Sequence, residues 1–355
     1  MKRIMKQILT SIILIYILSS CTTTNFISID IRQPAFISFP PEVTNVVIVD
    51  NSPTLDNDDE TENPNNGPSI LSMDSARTIF LNSLTKFMSE EKYFNKVELY
   101  PYKTYDGSNN DITLLPVRKV QAICHEKDAD ALLSLNLFAI SAQLETENTA
   151  YFSNYSILGS KLGVIMRVYA KDGSQYAGPI GLIDSLFRQE MTDWSRIKNN
   201  VDEINSLVTE MSVVGADKMT GNFIPSWKTS QRWYYSDNSS EMKQAAKYVE
   251  QGKWPEAADI WGKLYDNNKP TKKIRLASNI ALANESLDDI ENAVKWINTA
   301  FEMLPEKSRS ELAIQVALYK TELETRLKNM PKLKEQLGIE EEPLDLERDS
   351  DSVSE

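Results

Sequence analysis

The spacing of apolar residues changes once along this chain, near residue 240, and that change restricts the fold more than any other feature. Before it, two periods alternate. Ile27, Ile29 and Ile31 interleave with polar residues, the period-two pattern of a half-buried strand. Residues 43–50 (VTNVVIVD) form a nearly continuous β-branched run, as expected of a strand covered on both faces. Ala76, Ile79, Phe80, Leu84, Phe87 and Met88 then fall at helical spacing, and Val97–Tyr100 reads as a short strand. Pro116 opens a second helix with Val117, Val120, Ile123 and Cys124 inward, and Ala131–Ile140 reads as a core strand. Leu162–Tyr169 runs into Asp172-Gly173, a hairpin turn signal that places a partner strand over 175–190. A helix over 197–219 and an aromatic segment, Trp227–Tyr235, complete this half. The pattern predicts a mixed-sheet α/β domain over 26–236 and an all-α domain over 237–330, an α+β or α/β class overall.

Two stretches stand apart in composition. Residues 51–72 are acidic and rich in Asn and Pro, and read as a disordered insert, as does the acidic tail 338–355. Asp56, Asp58, Glu60 and Glu62 alternate as in a calcium loop. Thr61 stands where that loop needs glycine, and Gly67 where it needs a bidentate Glu, so no metal site is expected.

In the helical half, Tyr248, Gly252, Ala257 and Trp261 stand at the spacing of a tetratricopeptide (TPR) core, which this segment resembles. Glycine permits a tight turn between paired helices, and alanine permits their close approach. A second unit lies 36 residues on, with Ala281, Ala293, Ile297, Ala300 and Pro305 at matching positions. Asn284 and Asp288 occupy the places of the usual Tyr and Gly. A third amphipathic helix over 308–328 would cap the stack.

The N-terminus has a separate logic. Lys2, Arg3 and Lys6 precede an apolar run over 8–18, the order of a secretory signal. Eleven residues at about 1.5 Å each cannot cross a hydrocarbon core of about 30 Å. The run closes on Leu18-Ser19-Ser20-Cys21, which resembles a bacterial lipobox, so residues 1–20 are read as a signal peptide and Cys21 as the acylated first residue of the mature chain. Residues 21–25 would be its tether, and the membrane its first partner. No acidic residue precedes Asp30, which points to the periplasmic side of the outer membrane.

Loss of residues 1–20 shifts the net charge from −13 to −16, because three cations and no anions go with them. So acidic a chain repels phosphate backbones, which argues against nucleic acid as a partner. With Cys21 acylated, Cys124 has no disulfide partner. No phosphate-binding loop, dinucleotide fingerprint, nucleophile elbow or metalloprotease motif is present, so no catalytic residue and no cofactor is assigned. His125 is the only histidine; adjacent helical residues diverge by about 100°, so it cannot serve Cys124 as a base.

The combination of lipobox, proline-punctuated α/β half and TPR-like half is similar to an uncharacterised family of Bacteroidetes cell-envelope lipoproteins. That resemblance implies compartment and architecture but no activity. The leading expectation is a non-enzymatic adaptor holding a protein or peptide in a TPR-like groove. A glycan- or cell-wall-binding lipoprotein, using Trp227, Trp233, Tyr234 and Tyr235, is the alternative, and a hydrolase with an unmarked carboxylate pair comes third.

Overall fold

The computed structural model describes residues 23–54, 71–107, 111–149, 152–190 and 201–339. Residues 1–20, read above as a signal peptide, Cys21, residues 55–70 of the acidic insert and 340–355 of the tail lie outside them. The chain divides into two compact units, one over Pro34–Ser226 and one combining the segment up to Gln33 with the chain from Trp227 onward.

The α/β unit is built on a five-stranded sheet. Its strands are β2 (Asn45–Asp50), β3 (Lys96–Leu99), β4 (Ala131–Thr149), β5 (Phe152–Ala170) and β6 (Gln175–Glu190), in the order β3-β2-β4-β5-β6. β3 and β4 run parallel to β2 on either side, while β4, β5 and β6 are successively antiparallel. Among the described residues three helices cover it: α1 (Met73–Glu90), α2 (Val117–Lys127) and α3 (Val201–Thr220). The continuous run in β2 serves both faces. Val46 and Ile48 pack with Phe80, Leu84 and Met88 of α1 and Val208 and Met211 of α3, while Val47 and Val49 pack with Val120, Ile123 and Cys124 of α2. Gly215 lets α3 sit directly on β5, since a Cβ there would lie 2.1 Å from Leu162 Cδ2. Local chemistry sets the ends: Ser72 caps α1 by accepting from Ser75 N at 3.2 Å, and Asp128 closes α2 in the left-handed region.

The helical unit comprises α4 (Ser240–Glu250), α5 (Trp254–Asp266), α6 (Pro270–Ser286), α7 (Ile290–Glu302) and α8 (Glu311–Leu337). α5 and α7 are both 13 residues long and begin 36 residues apart. The turns before them match. Gly252 has φ +69° and Asp288 φ +63°; Lys253 N donates to Tyr248 O and Asp289 N to Asn284 O, each at 2.9 Å. Asp288 thus takes up the left-handed conformation that glycine provides in the first pair, a place an aspartate tolerates better than most residues. No helix of the described residues is long and apolar enough to cross a membrane.

The fold class expected from the sequence is present: a mixed-sheet α/β unit and a run of helices. Four boundaries differ. β1 (Thr23–Gln33) and β7 (Ser226–Ser236) form a two-stranded sheet of their own and belong to the helical unit, not to the α/β domain drawn over 26–236. Ile27, Ile29, Trp233 and Tyr234 pack into the helical core, which is why the pair stays there. The tether is shorter than 21–25, since β1 starts at Thr23. The insert is also shorter than 51–72. Asn51 and Ser52 are buried, because β2 hands its last polar residues to a hydrogen-bonded cluster. Finally, α8 continues past 328 to Leu337, where Gly338 caps it at φ +64°.

Candidate functional site

The parallel strands of the α/β unit create one place where loops part. The chain after β2 leads to α1 on one face, and the chain after its neighbour β3 leads to α2 on the other. Such a switch point opens a crevice at the carboxyl ends of the strands, where open α/β sheets bind their ligands. Here it holds a polar cluster. Asp50 ends β2 and its Oδ2 pairs with Arg77 Nε at 2.9 Å; Arg77 Nη2 also reaches Asp74 Oδ1 at 2.7 Å. Ser52 donates through N (3.0 Å) and Oγ (2.6 Å) to Asp50 Oδ1. From the loop after β3, Thr104 Oγ1 donates to Asp50 O at 3.0 Å and contacts Asn51 Oδ1 at 3.1 Å. Asn51 Nδ2 and Asn136 Nδ2 both donate to Thr113 O, at 3.0 and 2.8 Å. Lys119 Nζ binds Thr104 O, fixing the loop, and Lys103 Nζ donates to Thr54 Oγ1 at 2.8 Å. Arg77 Nη1, Thr113 Oγ1 and Asn136 Oδ1 are buried and without a partner. Burial and the neighbouring Arg77 charge lower the Lys103 ammonium below its ordinary pKa, against the opposing pull of Asp50 and Asp74.

None of these residues was singled out from sequence. The available signal was Arg77, a cation among the inward positions Ala76, Phe80 and Leu84 of an otherwise apolar helix face. Among the described residues, no group of three or more His, Cys, Asp or Glu could hold a metal ion. Cys124 is buried, which pushes its thiol up to about 11, and His125 is exposed.

In the helical unit, Ala257, Trp261, Ala293, Ile297 and Ala300 are all fully buried, and Tyr248 packs against their core. Gly252 occupies the left-handed turn, and Pro305 lies between α7 and α8. The first helices of the pairs, α4 and α6, and the final helix α8 share another neighbour, strand β7. Ser236 Oγ donates to Met242 O on α4 at 3.4 Å. Asn279 on α6 clamps the Tyr235 backbone, accepting from its N and donating to its O at 2.8 Å each. Tyr235 OH reaches Gln315 of α8 at 2.7 Å. Arg232 forms a two-pronged pair with Glu285 of α6, at 2.8 and 3.0 Å, and Glu285 also accepts from Tyr319 OH (2.7 Å) and Arg326 Nη1 (3.2 Å) of α8. Full burial and the Glu285 carboxylate hold the Tyr319 hydroxyl well above its ordinary pKa, so it stays a donor. The groove that the sequence reserved for a partner therefore contains the chain's own strand. The same contacts decide the aromatic segment: Trp233, Tyr234 and Tyr235 are interior, leaving Trp227 exposed beneath Arg32, 5.5 Å away. A four-ring sugar platform is not formed.

The family model described as Domain of unknown function (DUF8603) matches residues 43–235, and a second, Domain of unknown function (DUF6340), matches 243–325. The first match takes in most of β7 as well as most of the α/β unit. No curated protein matches the chain. Among solved structures, the chain is similar to a minor lipoprotein from Acinetobacter baumannii, at 10% identity and TM-score 0.25 over 52% of this chain and 97% of that one. It is also similar to a Helicobacter pylori protein described as a homologue of a neuraminyllactose-binding hemagglutinin, at 15% identity and TM-score 0.28, over 53% and 91%. At those TM-scores neither likeness bears on what this chain does.

Proposed function

Because the chain belongs to the DUF8603 family, whose description names no activity, we propose its role from its own features: a lipid-anchored, non-enzymatic envelope protein that docks a protein partner on its TPR-like helical unit. The observation that carries the docking role is the outer face of α8. A terminal helix that only closes a stack turns a polar face to water. On α8, Val316, Tyr319 and Leu323 face the core, while Ile314 and Leu318, one turn apart on the far side, are 53% and 57% exposed. Since β7 occupies the groove of the first helices, this outer face is the seat we assign to the partner.

The reading is tested by in-cell crosslinking from α8. Ile314→Glu with Leu318→Glu should abolish a discrete crosslinked product that Lys86→Glu, at an exposed position of the α/β unit, leaves intact. An unchanged product sinks the docking role. Both target side chains are exposed, so the paired substitution should cost little stability. For the anchor, the support is Lys2, Arg3, Lys6, the apolar run over 8–18 and Leu18-Ser19-Ser20-Cys21. Cys21→Ser should end incorporation of labelled palmitate, because only the thiol accepts the lipid. Equal labelling of the variant would remove the lipoprotein reading. A periplasm-facing protein on the outer membrane should resist protease added to intact cells, and digestion there would place it on the outside.

A further inference from the structure

The crevice at the carboxyl ends of β2 and β3 contains three buried atoms without a partner, Thr113 Oγ1, Asn136 Oδ1 and Arg77 Nη1, and of these only the last belongs to a charged group. Arg77 is 5% exposed, and two of its three guanidinium nitrogens are committed: Nε to Asp50 and Nη2 to Asp74. The third, Nη1, is buried with no acceptor among the described residues. Proteins leave few buried donors in this condition, and a charged one is among the costliest to leave. Nor is Arg77 free to turn away. Two carboxylates fix the plane of its guanidinium, and Asp50 is itself held by the N–H and hydroxyl of Ser52. The direction of Nη1 is therefore set in advance, which is how a binding group is prepared at low entropic cost.

A second cation comes from the opposite loop. Lys103 donates only to the neutral hydroxyl of Thr54, and among the described residues no carboxylate forms an ion pair with it. Thr104, the next residue, donates to Asp50 O and so brings this loop to the end of β2, where partial burial and the Arg77 charge lower the Lys103 ammonium while Asp50 and Asp74 pull the other way. Lys119 does not compete for the same role; it is spent on Thr104 O and on Asp106 at 3.4 Å, and so steadies the loop that carries Lys103. Asp50 and Asp74 offset the charge of the two cations but leave Arg77 Nη1 without an acceptor, and an anion between Nη1 and Lys103 would supply one.

We infer that this crevice binds a small oxyanion, a carboxylate or phosphate group of a soluble ligand, with Arg77 Nη1 as the fixed donor at its floor and Lys103 Nζ at its rim. A planar guanidinium with a free N–H matches either group, since both present oxygens at hydrogen-bonding spacing. This site does not depend on the anchoring or docking roles proposed above.

The test uses the full chain carrying Cys21→Ser, titrated calorimetrically at low salt with inorganic phosphate and, separately, with succinate. Saturable binding of at least one is expected, and the stronger of the two identifies the phosphate or the carboxylate class. Lys103→Met, at an exposed position, should weaken it about tenfold or more, the worth of one charge-assisted hydrogen bond. Lys103→Arg should retain most of the affinity, and Lys86→Met all of it. Affinity for the anion should also fall as pH rises through the lowered lysine pKa, a dependence that Lys103→Met removes. The inference is overturned if neither anion binds at millimolar concentration, or if binding is the same in Lys103→Met as in its parent.

Discussion

Trp261 has no exposed surface, and Ala257, one helical turn before it, is equally closed off. Replacing Trp261 by Ala would leave a cavity in the helical core and cost about 3–5 kcal/mol. That is a large share of the roughly 5–15 kcal/mol that stabilises a typical domain. Urea denaturation of the Cys21→Ser chain should show the midpoint falling by a corresponding amount, and a shift under about 1 kcal/mol would mean the site collapses to fill the gap. Residues of this kind are legible in a sequence because they are local: a small residue and a large one at helical spacing mark a contact on one face. Arg232 with Glu285, and Arg77 with Asp50, are another matter. Their partners lie tens of residues apart with no spacing rule to connect them, so neither the buried ion network nor the switch-point cluster could be found before the fold was known.

At the scale of elements, hydropathy reported burial along most segments but not pairing; Val117, expected on the inner face of α2, is 52% exposed in its first turn, and only Val120, Ile123 and Cys124 are buried. The strand predicted over 131–140 continues as β4 to Thr149, because a strand can extend by backbone hydrogen bonding to β5 after its apolar residues end. In β7 the aromatic residues signal an interior position, but nothing in them says which interior, and the helical unit holds them. The register of the parallel strands has a more specific fixture. Asp130 Oδ2, just before β4, accepts from Thr44 N at 3.1 Å and Asn45 N at 3.2 Å at the start of β2, and Oδ1 accepts from Lys171 at 3.1 Å. Burial raises this carboxyl, but the Thr44, Lys171 and Asn45 donors outweigh it and hold it below its ordinary value. A folded pKa below the unfolded one adds stability above the unfolded value of about 3.9, and that stability is lost as pH falls through the folded value. Asp130→Asn should therefore weaken the fold at neutral pH and flatten its decline in acid. Thermal melts between about pH 6 and pH 3 would show this, and parallel curves for variant and parent would refute it.

For the whole molecule, the legible part was the class and order of layers, because periodicity reports which faces are buried along each segment. The nesting of one unit inside the other was not legible. The helical unit owns β1 and everything after Ser226, and the α/β unit is the stretch between. β1 begins two residues after Cys21, so a lipid on that cysteine would be attached next to the first strand of the helical unit.

Nesting also imposes an order in time. Synthesis delivers the chain from its N-terminus, so β1 emerges first, yet β7 comes only after the entire α/β unit has been made. Domains generally close as they become complete, and an unpaired strand in the interval exposes its backbone groups to wrong pairing. The inserted unit should thus finish while β1 waits. A chain ended after Ser226 should leave a protease-resistant core over about 34–226 with the 23–33 segment cut away, whereas the full chain should protect both; equal protection of that segment in the shortened chain would show that β1 needs no partner from the far end. Until then, the first strand made stays open, and the late arrival of β7 is the step that closes it.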